Sequence, residues 1–179
     1  KDFLYVPSAV IYHDKERLAQ GAVVVRKVEL HRPQIRIVID RDGHCNLAGL
    51  LAPTDPRVLF PTIVVDQGTL VVENGAAAGA PLVEIKNVSL TSVEDPPGTV
   101  TVSGTGMSDV AGPVRLGAVL HRTTWDVAAT LDADRVPVGP DLVQRLAAFC
   151  SNAADHVRQL RGDGAVHVAL AYHPANCLL

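Results

Sequence analysis

The chain has 179 residues, enough for one domain or for part of a larger protein. Apolar residues make up 47% of it and charged residues 20%, which excludes an intrinsically disordered chain. The net charge of −3 and the aromatic content of 4% argue against nucleic-acid binding, which needs clustered basic side chains or aromatic rings for base stacking.

Apolar segments and cysteines can indicate membrane insertion, targeting or cross-linking. No apolar run reaches the roughly 18 residues that a membrane-spanning helix needs. The chain starts at Lys1 without an apolar signal core, so we expect an excerpt of a longer protein. Cys45, Cys150 and Cys177 are odd in number and far apart, which predicts neither a disulfide framework nor a Cys-pair zinc site.

Alternation of apolar and polar residues predicts a mainly β chain, because successive side chains of a strand point to opposite faces. The predicted strands cover residues 22–30, 34–40, 62–73, 82–91, 99–107, 113–121, 124–133 and 164–172. The apolar positions with the clearest alternation are Ile35, Ile37, Ile39, Val100, Val102, Trp125, Val127 and Leu131. Most connections are too short for a crossover helix, so we expect an antiparallel β-meander.

Helices are predicted at three places. Leu142, Leu146, Phe149, Val157 and Leu160 recur at helical spacing, which predicts one amphipathic helix around 140–160. Short helices are expected over 10–18 and over 46–51, the second capped by Asn46.

The predicted sheet has more apolar face than one helix covers. Strands lie about 4.8 Å apart and a helix is about 10 Å wide, so one helix covers roughly three strands. The remaining face either closes on itself as a sandwich or barrel, or stays open as a groove for lipid or for another protein.

Several short motifs follow one another in a characteristic order. They are an alternating strand that follows Pro33, then Asp40-Arg41-Asp42-Gly43, Asn46-Leu47 before Leu50-Leu51, a hairpin pattern at 63–70, a strand with Asn87-Val88 at 83–90, Val136-Pro137-Val138, a helix, and Gly164-Ala165-Val166. Over roughly residues 10–172 this order resembles the AsmA-like proteins, long envelope proteins of diderm bacteria that include the TamB relatives.

The resemblance implies that residues 1–179 form a single AsmA-like segment with a strongly curved, groove-forming (taco-like) sheet. Such a groove would carry phospholipid acyl chains across the periplasm, between the inner and outer membranes, in a protein anchored to the inner membrane. The eight alternating residues named above, from Ile35 to Leu131, are then the candidate groove lining. The alternative is a non-enzymatic envelope scaffold or outer-membrane assembly module that binds a protein partner through its sheet.

Enzymatic, metal and cofactor chemistry is not indicated. Asp40, Asp42 and His44 lack the further oxygen ligands of a calcium loop, and adding Cys45 gives no convergent metal or nucleophile set. The glycines at 103–106 lack the third glycine and the following helix of a phosphate loop. The carboxylate pairs at 94–95 and at 132 and 134 lie in or beside turns and are expected to be solvated. We therefore expect no enzyme activity, no cofactor and no metal.

Overall fold

The computed structural model describes residues 3–39, 46, 58–75, 83–149 and 161–172. Within these ranges the chain is mainly β, as predicted, with two short helices. The elements are β1 (Leu4–Tyr5), β2 (Ser8–His13), α1 (Lys15–Ala19), β3 (Val25–His31), β4 (Gln34–Ile39), β5 (Thr62–Asn74), β6 (Val83–Glu94), β7 (Thr99–Ser108), β8 (Gly112–His121), β9 (Asp126–Val138), α2 (Pro140–Phe149) and β10 (Gly162–Tyr172).

All the described strands belong to one open sheet. From β5 to β10 each strand pairs antiparallel with the next one along the chain. On the other side of β5 lie β3 and β4, which pair with its first and second halves, and outside them lie β2 and β1. Apart from α2 against β9, the extensive contacts between described elements are all between paired strands.

The sheet is mixed, whereas the sequence predicted antiparallel pairing throughout. Both β3 and β4 run parallel to β5, with Val28 opposite Ile63 and Ile35 opposite Leu70. A parallel neighbour requires the chain to cross over between the two strands, and the connection of residues 40–61 is long enough to do so. The rest of the predicted meander, from β5 to β10, is antiparallel as expected.

The N-terminal helix predicted over 10–18 is wrong in its first half. Residues Ser8–His13 form β2, and only Lys15–Ala19 is helical. Val10, Ile11 and Tyr12 favour a strand, and β2 gains backbone hydrogen bonds by pairing antiparallel with β3. Asp14 then caps α1, since its side chain accepts hydrogen bonds from two backbone N–H groups of the first turn.

The other two predicted helices are only partly described. The helix predicted over 140–160 is present as α2 (Pro140–Phe149), and Leu142 packs against the core; residues 150–160 lie outside the described ranges. Of the helix predicted over 46–51, only Asn46 is described. Its side chain accepts a hydrogen bond from the backbone N–H of Val38 and donates one to the carbonyl of Arg36, so it provides partners for two backbone groups of β4.

Bulges interrupt neighbouring strands at the same level of the sheet. Arg32, Gln67 and Asn87 have φ angles of 51°, 53° and 52°. Gln67 and Asn87 sit where the register between β5 and β6 or between β6 and β7 shifts. Arg32 lies between β3 and β4, which keep the same register with β5 on both sides of it. A bulge inserts one residue, bends the strand and increases its twist. The bulges of β5 and β6 therefore bend and twist these two neighbouring strands.

Two glycines of β7 allow this strand to pack closely against β6. A Cβ atom at Gly104 would lie 2.5 Å from the carbonyl oxygen of Ser89 and 3.1 Å from Cα of Leu90. At Gly106 it would lie 2.5 Å from Cγ2 of Ile85, the most deeply buried large side chain. No larger residue fits at Gly104 without moving the backbone of β6.

We predict that Gly104→Ala lowers the free energy of unfolding by roughly 1–3 kcal/mol, because the methyl group overpacks the site. The matched control is Gly164→Ala, where nothing lies within 4 Å of the added Cβ atom. It should leave stability unchanged or raise it by up to about 1 kcal/mol. Urea denaturation followed by circular dichroism measures both, and equal effects would contradict the close approach of β6 and β7.

Candidate functional site: an apolar sheet face with a polar rim

Cross-strand pairing places apolar side chains on a single face of the sheet, which we call the apolar face. Residues directly opposite each other in a ladder share a face, so the pairing traces rows across the sheet. One row is Ala9, Leu30, Val65, Leu90, Gly104, Leu116, Leu131 and Val168. The next row is Ile11, Val28, Ile63, Ser92, Val102, Ala118, Ala129 and Leu170. Both rows run from β2 to β10, and Ser92 is the only polar residue in them.

The opposite face, here called the polar face, has a different composition. One of its rows is Val10, Glu29, Val64, Thr91, Ser103, Gly117, Thr130 and Ala169. Ion pairs lie across it, including Arg36 with Glu73 and His167 with Asp132. A chain with one apolar and one polar face must cover the apolar one with protein or with another apolar molecule.

The apolar face is buried in its middle and exposed at its two ends. Ile85, Val88 and Val114 belong to the central core, against which Val110 and Leu142 pack from one side. At the edges of the sheet, Ile11 is 60% exposed on β2 and Leu170 is 66% exposed on β10. The two ends therefore present apolar surface to solvent at positions that continue the buried rows.

The structure brings most of the predicted lining residues onto this face. Val102 and Leu131 lie in the two rows given above. Val100 and Val127 are both opposite Leu120, and Ile35 is opposite Leu70, which in turn faces Ile85. Ile37 follows Ile35 at the same-face spacing, next to Val72. Ile39 ends β4 opposite Asn74, and its side chain is outside the described part of the structure.

Trp125 is the exception among the predicted residues. The sequence placed it in a strand that starts at 124, but β9 starts at Asp126 and Trp125 lies in the preceding turn with φ of 61°. Its N–H donates to the carbonyl of His121 and closes this turn. The indole is nevertheless buried, at 8% exposed, and its Nε1 has no hydrogen-bond partner.

One end of the apolar face carries an ion pair that the sequence analysis missed. Arg122 and Glu94 are almost fully buried and 2.6 Å apart. They belong to the polar rim, which we define as residues 58–60, 94–99 and 121–126. Glu94 follows Leu90 and Ser92 on the apolar face of β6. A charged side chain at a position that alternation places on an apolar face was the signal in the sequence that could have indicated a buried ion pair.

The ion pair ties the three segments of the polar rim together. Arg122 Nη1 also donates to the carbonyl of Val58 (2.9 Å), and its guanidinium lies 5.5 Å from the ring centre of Phe60. The Glu94 carboxylate accepts from the backbone N–H groups of Phe60 (3.1 Å) and Gly98 (2.8 Å). Every segment of the rim therefore depends on the charge of Glu94 or Arg122.

The environment of Glu94 shifts its pKa in two directions. Burial raises the pKa of Glu94, whereas the hydrogen bonds from Arg122, Gly98 and Phe60 lower it, and the net pKa is below its ordinary value. The folded chain therefore stabilises the ionised form of the Glu94 carboxylate.

The polar face contains a separate shallow depression of about 470 Å³. Its polar lining consists of the hydroxyl groups of Ser89, Thr91, Ser103 and Thr105 together with Arg115. Arg115 is already bound by both carboxylate oxygens of Asp134, at 2.8 and 2.6 Å. This depression differs in chemistry from the apolar face and lies on the opposite side of the sheet.

Among the described residues, no three His, Cys, Asp or Glu side chains come together as a metal site. Of the carboxylates that the sequence predicted to be solvated, Glu94 is instead buried against Arg122, whereas the more exposed Asp132 and Asp134 pair with His167 and Arg115. Residues 40–45, where the sequence predicted a turn, lie outside the described ranges.

Comparisons with protein-family models, with curated proteins and with solved structures find no match to this chain. In the described part of the chain, neither helix has the length and hydrophobicity required to cross a lipid bilayer.

We predict that Glu94→Gln lowers the free energy of unfolding at pH 7 by about 3 kcal/mol, because it leaves the buried Arg122 without a counter-charge. The matched control is Asp134→Asn, which removes the partner of Arg115 in an exposed pair and should change stability very little. Chemical denaturation of the three proteins gives the comparison, and equal effects of the two substitutions would contradict a structural role of the buried pair.

The same pair gives a pH-dependent prediction. Since the pKa of Glu94 is lower in the folded than in the unfolded chain, its contribution is complete above the unfolded pKa of about 4.3 and is lost as pH falls through the folded pKa. Stability measured from pH 6 downwards should therefore fall less steeply in Glu94→Gln than in the parent chain. Parallel pH profiles would show that Glu94 does not titrate with folding.

Proposed function

We propose that the chain is a lipid-carrying segment, in which the apolar face holds phospholipid acyl chains. The observation that supports this most directly is the pair of rows, apolar except at Ser92, that run from an exposed residue on β2 to an exposed residue on β10. Acyl chains offer no hydrogen bonds, so they require a lining without unpaired polar groups. The apolar face meets this requirement except near the polar rim.

The arrangement of the face also supports a path that is open at both ends. A closed core would bury the ends of its rows, whereas Ile11 and Leu170 are largely exposed. An acyl chain lying along the rows crosses the strands and meets aliphatic side chains on each of them. The polar face and its ion pairs remain in water on the other side.

The resemblance to AsmA-like proteins adds the cellular setting to this proposal. In that setting, the segment lies in the periplasm of a diderm bacterium and belongs to a protein that is anchored in the inner membrane. Phospholipid then moves along the groove between the inner and outer membranes. The lining residues are those predicted on the apolar face, including Ile35, Ile37, Val102, Val127 and Leu131.

A second candidate is an envelope scaffold that binds a protein strand through the sheet. The observation that favours it is the edge strand β10, which among the described strands pairs only with β9. An exposed edge of this kind can accept an added strand from a partner. Both candidates involve β10, but they use different atoms: side chains of the apolar face for lipid, and backbone groups for a strand.

Photo-crosslinking at two neighbouring positions of β10 separates the candidates. We predict that benzoylphenylalanine at Leu170, on the apolar face, captures phospholipid in cells of a diderm bacterium. The same probe at Ala171, which is also exposed but on the polar face, should not. Mass spectrometry of the adducts identifies the captured molecule.

Each of the remaining outcomes has a definite meaning for the proposal. Lipid adducts of equal yield at Leu170 and Ala171 would contradict an oriented groove. The absence of lipid adducts at both positions would contradict lipid carriage on this face. Protein adducts at both positions without lipid would favour the scaffold.

A further inference from the structure

Strand β10 is the longest edge strand in the described part of the sheet. It has 11 residues, whereas the other two edge strands, β1 and β2, have two and six. Edge strands are normally protected from pairing with other chains by short length, by Pro or by Lys. β10 contains neither Pro nor Lys, and its register with β9 is unbroken over residues 166–172. Its outer backbone groups can therefore accept another strand.

The side chains of β10 add apolar surface to this edge. Val166, Val168 and Leu170 are 36%, 39% and 66% exposed, and their register with β9 places all three on the apolar face. Between Val168 and Leu170 and just after Leu170, the polar face carries the exposed alanines Ala169 and Ala171. A strand added to β10 would cover aliphatic side chains on one face and would meet small side chains on the other.

The titratable side chains of β10 are engaged by its neighbour β9. Asp163 forms an ion pair with Arg135, and His167 Nδ1 lies 2.6 Å from the Asp132 carboxylate. Like charges directly opposite each other destabilise a strand pair. Asp163 lies outside the regular run of residues 166–172, so His167 is the one titratable residue of this run whose side chain could oppose its own copy.

The sequence of this run is complementary to itself in the antiparallel direction. With Ala169 opposite Ala169 of a second copy, Val168 lies opposite Leu170 of that copy and His167 lies opposite Ala171. Opposite residues share a face of the sheet, so aliphatic side chains meet on the apolar face and small ones meet at the centre of the polar face. The two histidines are kept apart in this register.

We propose that the chain forms a two-fold symmetric dimer in which the β10 strands of two copies pair antiparallel, with Ala169 at the axis. The occupant of the edge is a second copy because β10 supplies its own complement in both side-chain pattern and charge. The assembly is closed, since each copy uses the same strand, and neither β10 edge stays open.

The axis of such a dimer is perpendicular to the sheet, so both apolar faces lie on the same side. Val168 of each copy then meets Leu170 of the other, and the two apolar rows of one chain continue into those of the second. The inference goes beyond the proposed function and does not require lipid to bind. It names the strand that this edge accepts.

Disulfide formation at the axis tests the register of the dimer. In Ala169→Cys the two thiols lie on directly opposite residues, whose Cα atoms are about 4.5–5.5 Å apart in antiparallel strands, within the span of a disulfide. Oxidation of the purified 179-residue chain should give a covalent dimer, and mass spectrometry of proteolytic fragments should locate the bond at position 169. The matched control is Ala171→Cys on the same face, where the two thiols are about 13 Å apart along the strands and should not join.

A charge at the axis tests the dimer without a covalent bond. Ala169→Lys places two ammonium groups opposite each other, so the dissociation constant measured by analytical ultracentrifugation should rise roughly fivefold. The control is Ala128→Lys, which adds the same charge to the exposed polar face of the inner strand β9 and should keep the dissociation constant of the parent. Thermal unfolding shows that both variants are folded.

The outcomes separate this inference from the proposed function. A parent chain that stays monomeric from low to high micromolar concentration would overturn the dimer. Equal disulfide yields at positions 169 and 171, or a dimer that Ala169→Lys leaves unchanged, would overturn the pairing through β10. Lipid adducts at Leu170 together with any of these results would leave lipid carriage intact, whereas a β10 dimer without lipid adducts would reject the lipid proposal alone.

Discussion

The constraint on which the structure depends is that one face of a ten-stranded sheet stays apolar through every break in its strands. A bulge adds one residue and would turn all later side chains to the wrong face. In β5 the apolar-face residues are Val65 and then Gly68, and in β6 they are Ile85 and then Val88. The alternation in the sequence thus shifts by one residue where each bulge occurs. The same sequence pattern therefore determines both where the bulges lie and which residues face the apolar side.

The bulges and the glycines act on the same region. Gly68, Gly104 and Gly106 lie where the bulged strands meet, and each leaves room for a side chain or backbone of the neighbouring strand. Glycine is normally unfavourable inside a strand because it adds no packing and loses the most conformational entropy. Here the missing side chains allow Ile85 and Val88 to pack closely against the sheet. The close packing in the middle of the apolar face therefore depends on the absence of side chains at these glycines.

The polar rim limits the apolar face at one end of its strands. Glu94 and Arg122 are buried together and hydrogen-bond to the backbone of the segment at 58–60, and removing either charge would leave the other uncompensated. In the proposed function, the apolar path ends at this rim along the strands and stays open across them, at the exposed residues of β2 and β10. The exposed ion pairs of the polar face contribute little to stability.

The sequence by itself determined the strands from β3 to β10, because alternation such as Ile35, Ile37 and Ile39 depends only on neighbouring residues. It also determined that Leu142 belongs to a helix with an apolar side. It could not determine the parallel pairing of β3 and β4 with β5, the strand β2, or the turn that holds Trp125, because these depend on distant partners. Nor could it bring Glu94 to Arg122, 28 residues away, since that contact exists only when the β6–β7 and β8–β9 turns lie side by side. Local periodicity fixes which way a side chain points within a strand, whereas register and bulges, which belong to the assembled sheet, decide which strands share a face.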